Sequence, residues 1–119
     1  MFKIFLQIRK KPGMSREDFI AYYENHHAPL AIGLIPSMRK YLRHYLQPLG
    51  SEFFAAGDDR PDDVITEIWF DSRAGYDEAM ALLADPEKAA ILAADEEKLF
   101  DRASIRVRSV ECHESELTR

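Results

Sequence analysis

Strand-like segments fall in a fixed order around two helix-like stretches, and that order restricts the fold more than any other feature of the chain. Phe2 to Arg9 sets Phe2, Ile4, Leu6 and Ile8 against Lys3, Phe5, Gln7 and Arg9, the period of two that gives a strand one apolar face. Met38 to Leu46 separates Tyr41, Arg43 and Tyr45 from Leu42, His44 and Leu46, and Val64 to Phe70 separates Val64, Thr66, Ile68 and Phe70 from Ile65, Glu67 and Trp69. Ser104 to Cys112 reads as the last strand, with Ser115 to Arg119 as a frayed tail.

The segments between are helical. Lys11-Pro12-Gly13-Met14 has the residues of a type II turn, with a preset φ at proline and freedom for positive φ at glycine. Ser15 follows as an N-cap with Asp18 in the capping-box position, and Met14 can staple onto Phe19. Phe19, Tyr22, Tyr23 and His26 or His27 recur at helical spacing, and Pro29 places the end of the regular helix near His27. The 31–36 stretch reads as a connector and 48–63 as a polar loop with Phe53 and Phe54 as its anchors. Asp71 or Ser72 caps a second helix carrying Tyr76, Met80 and Leu83, and Asp85-Pro86 restarts it, so this helix is bent or split. Asp95, Glu96 and Glu97 read as a solvated rim ahead of Leu99 and Phe100.

Strand, helix, strand, strand, helix, strand is the split β-α-β order of ferredoxin-like folds. The expectation is an α+β protein, βαββαβ, with a four-stranded antiparallel sheet and helices on one face. The other face would carry Phe5, Trp69 and one set of tyrosines, and a partner sheet would cover it, so a homodimer is expected. A chain of 119 residues is long enough for one such core without disulfides.

Composition excludes several classes. Cys112 is the single cysteine, so one chain cannot assemble an internal disulfide, a cysteine-based zinc site or an iron–sulfur cluster, which suits a reducing, cytoplasmic setting. The longest uncharged run near the N-terminus, Ile4 to Ile8, is too short for a signal-peptide core, and no membrane partner is expected. A net charge of −5 argues against nucleic acid, and Arg9-Lys10-Lys11 reads as a solvated strand end. The chain carries neither a glycine-rich phosphate loop nor a nucleophile elbow.

The densest polar and aromatic cluster is Tyr22-Tyr23-Glu24-Asn25-His26-His27-Ala28-Pro29-Leu30. Tyr23 and His27, like Tyr22 and His26, are four residues apart and share a helix face. A histidine here can transfer protons while a tyrosine orients a substrate; equally, the histidine can stabilise the helix terminus while the tyrosines fill core. Adjacent His26 and His27 point about 100° apart on a helix and cannot chelate one metal together, so no metal site is expected. A site of histidines completed by Glu67, with His44 approaching across the sheet, follows no spacing rule; His113 reads as solvated and Cys112 as a small buried apolar residue.

The run from Arg9 to Phe19, the Tyr23 to Leu30 segment with its His-x-Pro, and Asp95 to Asp101 together resemble the EthD-domain family of the dimeric α+β barrel superfamily. The resemblance implies one EthD-like domain over 1–114, a homodimer whose sheets pack face to face, and a pocket between sheet and helices in each subunit. It implies an enzyme working without a bound cofactor on a small apolar or aromatic molecule, by acid/base chemistry of lyase, isomerase or oxygenase type. His27 matches the family histidine and is the expected proton-transfer residue; Tyr23, His26, His44 and Trp69 are the expected substrate contacts. The alternatives are a non-catalytic or stress-related barrel that sequesters an apolar ligand, and haem binding through His27 or His44.

Overall fold

The computed structural model describes residues 1–53 and 62–119. Phe54, expected to anchor the long loop, lies outside them. Strands β1 (Phe2–Lys10), β2 (Lys40–Tyr45), β3 (Val64–Phe70) and β4 (Phe100–Ser109) form one antiparallel sheet in the order β2-β3-β1-β4, as the βαββαβ reading expects. Between β1 and β2 run α1 (Arg16–Tyr22), a π-helical segment, Tyr23–His27, and α2 (Ala28–Leu34); between β3 and β4 run α3 (Arg73–Leu83) and α4 (Pro86–Glu96).

The punctuation follows local chemistry. Gly13, at φ 83°, turns the chain after β1, and the Met14 amide donates to the Lys11 carbonyl at 3.1 Å. Ser15 caps α1, accepting from the Asp18 amide at 3.1 Å, and Asp85 caps α4 by accepting from the Lys88 amide at 3.1 Å, with Pro86 in the first turn. Ser72 rather than Asp71 occupies the N-cap position of α3; Asp71 pairs with Arg39 instead.

Several boundaries differ from expectation, β2 being shorter at both ends than Met38 to Leu46. The first helix does not stop at His27: the Ala28 amide bonds back to the Tyr23 carbonyl, five residues away, and this widened turn carries the helix past Pro29. A proline ring in a regular helix collides with the carbonyl four residues before it, and one π turn moves that carbonyl aside. The last strand starts at Phe100, not Ser104, and ends at Ser109. Its first residues are hidden from periodicity by a register shift opposite Gln7 and Arg9, where the Ser104 hydroxyl accepts from the Arg9 amide at 2.9 Å and donates to the Asp101 carbonyl at 2.6 Å. Phe53 is 80% exposed, so it is not the buried anchor expected of it.

The helices cover the sheet face of Ile4, Leu6, Ile8, Tyr41, Val64, Thr66, Ile68 and Phe70. Two apolar clusters form there. One joins Ile8, Phe19, Tyr23, Ala28, Val64, Leu99 and Phe100; the other joins Ile4, Ile35, Ile68, Phe70 and Ala79, and Leu6 and Tyr41 touch both. The opposite face presents Lys3, Phe5, Gln7, Leu42, His44, Ile65, Glu67, Trp69, Arg106 and Arg108. Tyr41 and Tyr45 therefore turn inward, against the expectation of a tyrosine set on the uncovered side. Among the described residues no helix is long and apolar enough to cross a membrane.

Candidate functional site

Where the two apolar clusters meet, packing is incomplete, and a cavity of about 600 Å³ lies between sheet and helices. Its floor is Ile4, Leu6, Ile8 and Ile68; Phe70, Ala79 and Leu83 close the far end, and the exposed Met80, Arg102 and Val107 mark its mouth. Polar groups are few: His27, Tyr23, Tyr41 and Thr66 on one side, with Glu96 and Arg102 near the mouth. A mostly apolar cavity with a few convergent polar groups is the usual form of a small-molecule site.

His27 is only 4% exposed. Its Nδ1 lies 2.8 Å from Oδ2 of Asp95, while the Tyr22 hydroxyl donates to Oδ1 of the same carboxylate at 2.6 Å. The carboxylate fixes the imidazole as the Nδ1–H tautomer, so Nε2, which has no partner among the described residues, keeps its lone pair for whatever occupies the cavity. The rings of Tyr23 and Phe100 stand edge-on to it at 5.3 and 5.0 Å and hold its plane. Burial pushes the Asp95 carboxyl up, but the Tyr22 and His27 hydrogen bonds outweigh it and leave Asp95 below its ordinary 3.8. It therefore stays ionised as the imidazole's partner. Its carboxylate in turn raises the Tyr22 hydroxyl to about 12, chiefly through their hydrogen bond.

Glu96 behaves oppositely. Burial raises its carboxyl above the ordinary 4.5, against the lowering effect of His27 and Arg102; Arg102 Nε donates to it at 3.3 Å. Adjacent carboxylates thus have opposite tendencies because one is hydrogen-bonded on both oxygens and the other is mainly desolvated. Deeper in, the Tyr23 hydroxyl is 2.6 Å from Thr66 Oγ1 and 3.2 Å from the Tyr41 hydroxyl. Behind Tyr41, Arg43 donates to Glu24 from Nη2 at 2.6 Å and from Nε at 3.0 Å, and Tyr45 donates to Glu24 as well. This brace joins the π segment to β2 and holds the Glu24 carboxyl below its ordinary value, mainly through Arg43.

The residues singled out in the sequence are thus divided. His27 and Tyr23 line the cavity together. His26 does not: it is exposed and stacks on Tyr22 at 4.9 Å, outside the cavity. His44 and Trp69 lie on the opposite sheet face, both directed at Glu67, whose Oε1 is 3.0 Å from His44 Nε2 and whose Oε2 accepts from Trp69 Nε1 at 2.5 Å. Strand alternation is the reason, since His44 and Trp69, the neighbours of Tyr45 and Ile68, must point away from the side that those residues share with His27. No group of metal-binding side chains occurs among the described residues.

Asp95 and Glu96, expected on a solvated rim, are instead turned inward, with side chains 13% and 17% exposed. The signal was their place on the stripe Leu92, Asp95, Glu96, Leu99, whose spacings of three and four give one helix face. Acidic residues on an otherwise apolar stripe point to a site rather than to solvent.

The same architecture recurs in solved structures. An ethyl tert-butyl ether D (EthD) family protein of Bacillus halodurans aligns over 95% of this chain and 100% of its own, at 19% identity and a TM-score of 0.61. The At3g17210 protein of Arabidopsis thaliana aligns over 98% and 100%, at 19% identity and a TM-score of 0.64. A dimeric protein of unknown function and ferredoxin-like fold from Bacteroides fragilis aligns over 93% and 95%, at 10% identity and a TM-score of 0.54. At these identities the likeness is one of fold. No curated protein matches the chain. The EthD domain profile matches residues 11–103, from the turn after β1 into β4 and through every element of the cavity except β1 itself, and on that match the chain belongs to the EthD domain family.

Proposed function

We propose that the protein is a small enzyme acting by proton transfer on an apolar or aromatic molecule bound between sheet and helices, with His27 as the transferring group. The observation that carries this is that the buried His27 on the cavity wall is paired, at 2.8 Å, with Asp95 behind it. A histidine serving only to complement the helix terminus would not need a carboxylate, itself fixed by a tyrosine, to set its tautomer. Nε2 accepts a proton from substrate carbon or oxygen and returns it at a second position, and Asp95 stabilises the imidazolium between those steps. The apolar walls exclude water, and neither step calls for a bound cofactor.

The polar groups beside His27 favour catalysis over simple sequestration, which an entirely apolar cavity would serve as well. The fold also supports a homodimer paired through the uncovered sheet face, as a related fold from Bacteroides fragilis is described as dimeric. His27→Gln tests the reading against a panel of small aromatic and alicyclic compounds, scored for product and for exchange of C–H protons with deuterated water. The expected loss is about a hundredfold or more. Unchanged rates would remove His27 from the mechanism.

A further inference from the structure

Tyr23, Tyr41 and Thr66 bring three hydroxyl groups to one wall of the cavity, joined by two contacts, Tyr23 to Thr66 at 2.6 Å and Tyr23 to Tyr41 at 3.2 Å. Three hydroxyls carry three protons, and two contacts use two of them. Neither Thr66 nor Tyr41 offers its hydroxyl to any other described residue. One donor is therefore left over, on a wall where Tyr23 and Thr66 are each 1% exposed and an unused hydroxyl proton is costly. The cavity around it is otherwise apolar except for His27 and the Glu96–Arg102 pair.

The geometry points to a substrate class: an apolar molecule bearing a ketone oxygen, which accepts a hydrogen bond from Tyr23 while the carbon beside the carbonyl faces His27. This rests on the reading of the cavity as the site of proton transfer. Tyr23 suits the donor's part because it is the middle member; with Thr66 and Tyr41 both donating to its oxygen, its own O–H is polarised and aimed away from them. The Tyr23 and His27 rings are neighbours, 5.3 Å between centroids, so an oxygen on the hydroxyl brings the adjacent carbon toward the imidazole. The step balances without a co-reactant. The proton on that carbon passes to His27 Nε2, the C–H pair becomes the C=C bond of the enolate, and the carbonyl π pair moves onto the oxygen that Tyr23 holds.

Two bicyclic probes that differ by one carbonyl, α-tetralone and tetralin, test the assignment on the intact protein. The ketone is expected to bind about tenfold more tightly. Its carbonyl infrared band in the complex should lie below its position in an alkane. Tyr23→Phe should return the band to the alkane position and remove the preference. Tyr41→Phe, at a half-buried residue, should return it part of the way, and serves if Tyr23→Phe does not fold. An unshifted band in the unaltered protein, equal affinity for the two probes, binding of neither, or a band indifferent to the tyrosine substitutions would overturn the inference. His27→Gln separates it from the catalytic reading: a shifted band with undiminished hydrogen exchange would refute His27 as the base and leave the oxygen site standing.

Discussion

At the scale of single residues, the proposed proton transfer rests on Asp95 as much as on His27, because the carboxylate takes one imidazole nitrogen and leaves the other free. Asp95→Asn keeps the shape of the pair but offers an amide that can bond to the imidazole in either tautomer, so proton transfer should fall by about a hundredfold while cavity binding is retained. The same substitution has an optical signature. Tyr22, raised to about 12 from 10.0 by its bond to Asp95, should titrate close to 10.0 in the variant, as read by tyrosine NMR or phenolate absorbance. The signs of the pH dependence follow. Tyr22 is raised in the folded state, so what it adds to stability is complete below pH 10.0 and is lost as pH climbs toward 12; Asp95 is lowered, so its contribution is complete above 3.8 and is lost as pH falls below that value. A wild-type Tyr22 that titrates at 10.0 would mean that the Tyr22–Asp95 bond does not hold in solution.

At the scale of elements, strand alternation and capping residues made most of the architecture legible. Phe2 to Lys10 and Val64 to Phe70 alternate without interruption, and Gly13, Ser15 and Asp85 sit where turn and cap chemistry requires them. What periodicity could not show was departure from periodicity. The bulge at Ser104 hid the first turn of β4, and the π segment hid the continuity of the helix through Pro29. His27 and Tyr23 were readable as a pair because both helical periods keep residues four apart on nearby faces. His44 and Trp69 were misplaced because alternation tells that two faces exist and not which one the helices cover. The π segment bears on the proposed chemistry. It adds one residue to the turn that carries His27, so deleting the exposed Asn25 should restore a regular helix in which Tyr23 and His27 stand three residues apart instead of four, shifting the imidazole relative to Tyr23 and Asp95 while the segments on either side keep their faces. Helix content by circular dichroism should be nearly unchanged while proton transfer falls to background. Retention of activity would show that the wide turn accommodates Pro29 and does nothing to aim His27.

At the scale of the whole molecule, the sheet has one face spent on helices and cavity and another that the described residues leave uncovered. The uncovered face is not uniformly polar: Phe5, Leu42, Ile65 and Trp69 are half-buried within it, with Lys3 and Lys40 lying over the Trp69 ring at 4.0 and 4.5 Å. The lysines shield the indole in a single chain, yet Phe5 and Ile65, on adjacent central strands, keep apolar surface in water. A second copy related by a two-fold axis would bury that surface against itself. Ile65→Glu places a charge at the middle of such an interface and touches nothing in the cavity, since Ile65 and Thr66 point to opposite faces. The variant should sediment as a monomer at concentrations where the unaltered protein is expected to dimerise, with dimer affinity reduced about a hundredfold or more by the uncompensated buried charge. Its thermal midpoint should lose the dependence on protein concentration that a dimer shows. If each cavity is complete within one chain, as the His27–Asp95 pair and its surroundings are here, the monomeric variant should still bind an apolar ligand. Loss of binding together with dimerisation would mean that sheet pairing shapes the cavity through its shared floor, and an unaltered protein that sediments as a monomer would remove the homodimer itself.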